Sequence, residues 1–287
     1  WKTDRRLNEV SIMKKALIGY QLYSAREDAS RDLAGVLKQL KALGYDAVEF
    51  AGFYGHTADE IKVLLDEAGL AAVSDHVPYA VIEKDMFAVI SDHVKIGCRC
   101  IAIPFLDEEH RPGQPGFAEV LLTINKFGRL CREAGIQLLY HNHDFEFVRL
   151  SGMYALDFLY AATDPEVLQT EIDTCWVNYS GEDPAAYVRK YAGRAPIVHL
   201  KDFVGSRGGA QPYALIKADG SDDGKNSDST AFEFRPVGYG CQNVPAIVEA
   251  GLEAGAFCFV VEQDQWYDRP ALEAAKMSIE TLKKIGL

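Results

Sequence analysis

The chain alternates eight short apolar runs with longer amphipathic stretches, and this alternation restricts its possible folds more than any other feature. The apolar runs lie at residues 16–20, 47–50, 71–74, 100–103, 138–140, 167–173, 197–199 and 257–261. Helical patterns follow them, at 32–43, from 57 onward, and at 87–96, 117–134, 155–162, 184–191, 245–254 and 271–285. Strands that alternate with helices predict a parallel sheet, and eight such units close a (β/α)8 TIM barrel.

A doubly wound open sheet is the main rival of the barrel. That fold would place a G-x-G-x-x-G phosphate-binding turn after an early strand, and the sequence has no such motif there. We therefore predict a single-domain α/β barrel over residues 13–287. Residues 1–12 are expected to be an N-terminal extension outside the barrel, because Met13-Lys14-Lys15 directly before the first apolar run resembles a natural start.

Composition excludes several classes of partner. The 287 residues include 30 Lys and Arg against 42 Asp and Glu, a net charge of −12. Such a charge repels phosphate backbones, so no nucleic-acid partner is expected. No apolar stretch approaches the roughly 20 residues of a membrane span, so no membrane partner is expected either. The six cysteines lack C-x-x-C spacing, which is typical of reduced thiols in a cytoplasmic protein.

Four ionisable residues stand at or just beyond the ends of the last four predicted strands: Glu146, Asp173, His199 and Glu262. Because the carboxyl ends of barrel strands meet at one rim, we expect these side chains to converge. Three carboxylates and one imidazole suit one divalent cation. Each residue alone also fits a structural role, for example Asp173 as a helix N-cap or His199 as a core histidine.

The end of strand five leaves the choice of ligand open. In Tyr140-His141-Asn142-His143-Asp144-Phe145-Glu146, alternation places His141 and His143 on one face and Glu146 on the other. Glu146 joins the site only if the chain turns or bulges after His143. Otherwise His141 or His143 is the ligand, with Glu146 in support.

Other residues of the same rim are candidate substrate contacts. Lys201 shares a strand face with His199, and Glu49 and His76 end earlier strands. Trp176 offers an apolar platform for the face of a sugar.

The polar segment 205–230 follows strand seven and is rich in Gly, Ser, Asp and Asn. We expect it to form a lid over the site, with Arg207 as a contact for substrate oxygens. A surface insertion or a contact between subunits of a homo-oligomer is the alternative.

Several of these motifs, in this order, resemble the xylose-isomerase-like sugar isomerase/epimerase superfamily, over nearly the whole chain from Met13. They are the Tyr140–Glu146 run, Glu171-Ile172-Asp173-Thr174-Cys175-Trp176, Val198-His199-Leu200-Lys201-Asp202, Pro236-Val237-Gly238-Tyr239-Gly240 and Val261-Glu262. The resemblance implies a barrel with one divalent metal ion, Mn²⁺ before Mg²⁺, Co²⁺ or Zn²⁺. It implies Glu146, Asp173, His199 and Glu262 as metal ligands, with the two glutamates as catalytic bases on opposite faces of the substrate.

One departure from that pattern concerns the substrate. The ketose 3-epimerase branch typically has a histidine three residues after the aspartate, where this chain has Trp176. Because of this departure, we expect the substrate to be an inosose, a keto-sugar or a keto-glycoside rather than an ordinary free ketose.

The predicted function is therefore a metal-dependent isomerase or epimerase that abstracts a proton next to a carbonyl of a sugar or cyclitol, through an enediolate. A lyase or dehydratase using the same first step is the alternative. Phosphodiester cleavage, as in the DNA-repair endonucleases that resemble this barrel, is disfavoured by the charge of −12.

Overall fold

The computed structural model describes residues 16–205 and 232–287, and these form an eight-stranded parallel barrel. The strands are β1 (Leu17–Gln21), β2 (Ala47–Phe50), β3 (Ala71–Asp75), β4 (Cys100–Ile103), β5 (Gln137–His141), β6 (Leu168–Asp173), β7 (Ile197–Leu200) and β8 (Cys258–Val261). They pair in the order β3-β2-β1-β8-β7-β6-β5-β4, and a parallel bridge between His76 and Ala102 joins the two ends. The predicted barrel is confirmed, whereas the predicted extension 1–12 lies outside the described residues.

Ten helices are found in the described ranges. They are α1 (Arg26–Leu43), α2 (Ala58–Ala68), α3 (Tyr79–Lys84), α4 (Met86–Ile96), α5 (Phe117–Glu133), α6 (Ala155–Ala161), α7 (Thr174–Tyr179), α8 (Pro184–Lys190), α9 (Val244–Ala254) and α10 (Ala271–Lys284). A capping box of Thr57 and Glu60 opens α2. Helices α3 and α7 have six residues each and were not predicted. None of the helices in this part of the chain is both long and apolar enough to cross a bilayer.

Helix α1 begins earlier than the sequence pattern indicates, and the reason is a kink. Asp32 has non-helical dihedral angles, φ −154° and ψ 78°, in the middle of α1. Its Oδ1 accepts a hydrogen bond of 2.9 Å from the Gly35 backbone N–H, as an N-cap does. The predicted start at residue 32 therefore coincides with an N-cap inside α1. The helix extends further toward the N-terminus than predicted, by residues 26–31.

The floor of the barrel is a small apolar plug formed by side chains that point inward from the strands. Its members are Ala47, Val73, Cys100, Ala102, Leu139, Ile197, Cys258 and Val260. A larger apolar core fills the space between the strands and the surrounding helices. Because the plug closes the lower end, polar side chains higher on the same strands can only face the rim.

A buried carboxylate fixes the chain where it returns to the rim after β7. Strand residues Asp202–Gly205 pair antiparallel with Phe232–Arg235. Of the predicted lid at 205–230, Gly205 belongs to this strand, and the rest, including Arg207, lies outside the described residues. Asp202 accepts hydrogen bonds of 2.9–3.0 Å from the backbone N–H groups of residues 203, 238, 240 and 242. At position 240 a Cβ would lie 2.1 Å from Asp202 Oδ1, so only glycine allows this approach.

We expect Asp202→Ala to lower the free energy of unfolding by roughly 2–4 kcal/mol, because it leaves several buried N–H groups without an acceptor. The matched control is Asp164→Ala, which removes an exposed carboxylate that accepts one backbone N–H, from Glu166. That change should cost less than about 1 kcal/mol. Urea denaturation of both variants measures the difference, and equal losses would contradict the role assigned to Asp202.

Candidate metal centre

Three of the four predicted ligands meet at the mouth of the barrel: Asp173, His199 and Glu262. Strand register pairs Asp173 with His199, and His199 with Val260, so the three side chains lie at neighbouring levels. His199 Nδ1 lies 3.0 Å from Glu262 Oε2. Asp173 also caps α7 through Oδ1, which accepts from the Cys175 N–H, so the structural role considered for this residue is observed. All three side chains are buried.

Glu146, the fourth predicted ligand, is not part of this group. A 3-10 turn, Phe145–Phe147, carries it to the side of Tyr140, whose ring packs in the core outside the barrel. Glu146 accepts hydrogen bonds from the Tyr140 hydroxyl, at 2.6 Å, and from the His143 backbone N–H, at 2.8 Å. Burial raises the pKa of Glu146 to about 8. The chain does turn after His143, but it turns the carboxyl away from the other three predicted ligands.

His141 stands where Glu146 was expected. Its Nε2 lies 3.6 Å from Asp173 Oδ2. His141, Asp173, His199 and Glu262 each offer one ligand atom, and the four atoms lie within 4.8 Å of one another. We call these four residues the upper group. Burial and the positive charges of His199 and His76 lower the pKa of His141, so its ring is neutral, the form that binds a metal.

Lys201 lies among the carboxylates of the upper group. Its Nζ is 3.0 Å from Asp173 Oδ2, 2.9 Å from Glu262 Oε2 and 3.2 Å from Asp264 Oδ2. Burial opposes the charge of Lys201, but the carboxylates Asp173, Asp264 and Glu262 raise its pKa well above the usual value. Burial likewise disfavours ionisation of Glu262, yet the charges of Lys201 and His199 lower its pKa. Glu262 is therefore held as a carboxylate.

The predicted contacts Glu49 and His76 lie deeper than the rim. Glu49 is completely buried, and its Oε1 lies 2.7 Å from Gln21 Nε2, 2.7 Å from His199 Nε2 and 3.1 Å from His76 Nε2. Glu171, which the sequence reasoning did not select, lies beside them with its Oε2 2.8 Å from His76 Nε2. Glu49 is therefore enclosed by its partners, whereas His76 keeps 9% of its surface exposed. Their role as substrate contacts stays a prediction.

Alternation would have revealed two residues that the sequence reasoning passed over. Glu171 and Asp264 stand two positions from Asp173 and Glu262, and residues two apart share a strand face. Both are buried. Burial and the nearby charge of Glu49 raise the pKa of Glu171 to about 7. Burial raises that of Asp264 to about 7 as well.

The chemistry of these residues fits a divalent cation. Five buried carboxyl groups lie at the mouth of the barrel: Glu49, Glu171, Asp173, Glu262 and Asp264. The ammonium group of Lys201 contacts only the last three of them. In addition, His141 Nδ1, Asp173 Oδ2 and His199 Nε2 are buried and make no hydrogen bond of good geometry. Each lies only within ion-pair distance of a neighbour: Glu171, Lys201 and Glu49, respectively. Buried polar atoms are costly unless something satisfies them. Two carboxylates and two imidazoles form a ligand set that first-row divalent metals accept.

His143 and Trp176 form an aromatic wall beside the upper group. The His143 ring stacks on Trp176, with centroids 5.4 Å apart, and Trp176 stacks on Phe232 at 6.1 Å. Trp176 is completely buried, whereas His143 keeps 8% of its surface exposed. Trp176 therefore packs within the wall, and His143 is the ring that remains partly open to solvent.

Comparison with known proteins identifies the family of this barrel. The family model described as xylose isomerase-like TIM barrel matches residues 37–285. An inosose dehydratase of Clostridium beijerinckii is 25% identical over 187 residues, which span 58% of this chain and 62% of that protein. The match therefore covers less than two thirds of the relative.

Two solved structures show the same fold. A sugar phosphate isomerase/epimerase from Parabacteroides distasonis has a TM-score of 0.71 at 23% identity, over 96% of both chains. The IOLI protein, whose structure contains a bound zinc atom, has a TM-score of 0.67 at 12% identity, over 94% of this chain and 97% of that one. Because the family model spans most of the chain, and the barrel carries a buried His, Glu and Asp group at its mouth, the protein belongs to the xylose isomerase-like TIM barrel family.

Proposed function

We propose that this protein is a divalent-metal-dependent lyase that removes a proton next to the carbonyl of a keto-sugar or cyclitol and then eliminates a β-hydroxyl group as water. The observation that carries the proposal is the separation of the two predicted catalytic glutamates. Glu262 faces the upper group, while Glu146 is bound to Tyr140 on the outer side of the barrel. The proposal also includes His141, Asp173, His199 and Glu262 as the metal ligands.

A cation held by the upper group would act as a Lewis acid that polarises the carbonyl and acidifies the adjacent C–H bond. Glu262 is the base that accepts the proton. Its low pKa keeps it ionised but makes it a weak base, so it suits only a C–H bond that is already acidified. The ammonium group of Lys201, 2.9 Å from Glu262, stabilises the negative charge that develops on the substrate oxygen.

Elimination needs fewer catalytic groups than epimerisation does. Epimerisation requires that a second group return the proton to the opposite face of the same carbon, which was the role predicted for Glu146. In elimination one carboxyl group suffices, because protonated Glu262 can give its proton to the departing hydroxyl on the same face. The resemblance to an inosose dehydratase supports this outcome and favours an inosose as the first substrate to test.

Isomerisation or epimerisation remains a second candidate because of His143. Its Nδ1 has no hydrogen-bond partner among the described residues, and its ring is partly exposed at the rim. In that case His143, rather than Glu146, would exchange a proton with the face opposite Glu262. The nature of the product separates the two candidates.

The metal content of two variants tests the ligand assignment. Wild-type protein equilibrated with Mn²⁺ and freed of excess ion should retain about one ion per chain, as expected for a single four-ligand site. His141→Ala removes a proposed ligand and should lose most of the bound metal. Glu146→Gln, the matched change in a buried residue outside the upper group, should retain it. Elemental analysis measures all three, and the reverse pattern would restore Glu146 as the ligand.

Turnover of an inosose in D₂O tests the reaction. Wild type should release a product lighter by one water, which mass spectrometry detects. Glu262→Gln at saturating Mn²⁺ should lose about 10²–10⁴-fold in turnover, because an amide cannot accept the proton. Glu146→Gln should stay within about tenfold of wild type, less than the loss of a general base would cause. A deuterated product of unchanged composition would favour epimerisation, and a large loss in Glu146→Gln alone would refute the base assignment.

A further inference from the structure

A second layer of buried ionisable groups lies beneath the upper group, and the proposed reaction does not use it. We call Glu49, His76 and Glu171 the lower layer. His76 Nε2 connects the two carboxylates, at 3.1 Å from Glu49 Oε1 and 2.8 Å from Glu171 Oε2. Glu49 and Glu171 are completely buried, so neither carboxylate offers a surface to a substrate, and His76 between them is 9% exposed.

Both histidines of the upper group reach into this lower layer with their second ring nitrogen. His141 directs Nε2 toward Asp173 at 3.6 Å and Nδ1 toward Glu171 Oε2 at 3.3 Å. His199 directs Nδ1 toward Glu262 at 3.0 Å and Nε2 toward Glu49 Oε1 at 2.7 Å. Each ring therefore spans the two layers, with a carboxylate at either edge.

We propose that Glu49 and Glu171 are positioning residues, which hold His199 and His141 in the tautomer and orientation that bind the cation. This inference rests on the proposed metal site. A neutral imidazole that binds a metal through one nitrogen carries its proton on the other, and a carboxylate acceptor for that proton fixes the ring and strengthens it as a ligand. Glu171 serves His141 Nδ1–H, Glu49 serves His199 Nε2–H, and His76 holds the two carboxylates together.

A cation in the lower layer is the competing arrangement. His76, His141, Glu171 and His199 also offer ligand atoms within 4.8 Å of one another. If both layers were filled, His141 and His199 would each bind a cation through both nitrogens and would have to lose both ring protons. A neutral imidazole retains one proton, so occupation of the upper layer alone agrees better with the chemistry of histidine. Carboxylates beneath singly bound histidines would also be in place to accept the remaining N–H groups.

Metal affinity of Glu171→Gln and Glu49→Gln tests the inference without any measurement of activity. Glutamine preserves the size of the side chain and one acceptor oxygen but removes the charge. Two variants are used so that the test still stands if one of them fails to fold. Each should bind Mn²⁺ about 10–100-fold more weakly than wild type, in competition with a chromophoric chelator, at an unchanged stoichiometry of about one ion. Circular dichroism confirms that each variant is folded.

The matched control is Asp75→Asn. Asp75 is a buried carboxylate that lies 2.9 Å from the Nε2 atom of buried His93, a pair of the same kind that does not contact the upper group. Its substitution should leave Mn²⁺ affinity unchanged. The visible spectrum of bound Co²⁺ adds a second readout, because reoriented imidazoles change the ligand field. The spectrum should shift in the Glu171 and Glu49 variants and stay the same in the control.

Three results would overturn the inference. Unchanged affinity and an unchanged Co²⁺ spectrum in both variants would show that the lower carboxylates do not act on the metal. Two ions in wild type, with one lost in Glu171→Gln, would establish a cation in the lower layer. An equal loss in Asp75→Asn would reduce the effect to general destabilisation. A wild type that binds no cation would instead remove the proposed metal site itself, and the positioning role with it.

Discussion

The concentration of buried negative charge at the mouth of the barrel is the constraint on which the rest of the structure depends. Buried carboxylates are tolerated only when they are paired, and the single ammonium of Lys201 contacts three of them: Asp173, Glu262 and Asp264. Lys201 therefore ties the ends of β6 and β8 to β7. A cation that bound the folded chain at this point would add to the same compensation and stabilise the barrel by mass action.

Strand geometry explains why the site has two layers. Residues two positions apart share a strand face, so β6 contributes both Glu171 and Asp173, and the chain at β7 contributes both His199 and Lys201. Register then sets the levels, because Glu171 lies opposite Ile197 and Asp173 lies opposite His199. When a strand directs one polar side chain into the barrel, the side chain two residues later also points inward, one level higher. The two side chains can then contact each other or the same neighbours.

The sequence predicts the elements in which buried residues repeat at a regular interval. It does not predict the segments in which that repeat is absent. The strands and most helices were correctly located because burial repeats at two or near 3.6 residues. Asp173, His199 and Glu262 lie at or next to strand ends, where the pattern still applies. Glu146 lies beyond β5, in a 3-10 turn whose direction depends on the hydroxyl of Tyr140 and on packing that no local pattern encodes. His141, one of the open alternatives, was distinguishable from His143 only by its three-dimensional contacts.

The position of Glu146 nevertheless links the outer core to the proposed chemistry. Burial raises the pKa of the Glu146 carboxyl group to about 8. The group is therefore mainly protonated near pH 7 and can remain in the core without a counter-ion. Its Oε2 accepts from the backbone N–H of His143, which fixes the path of the chain directly after His141. The turn that removes Glu146 from the upper group therefore also fixes the backbone at His143. The same hydrogen bonds hold Glu146 away from the upper group, while the His143 ring lies beside His141. The proposed elimination and its epimerising alternative therefore differ in whether this imidazole takes part.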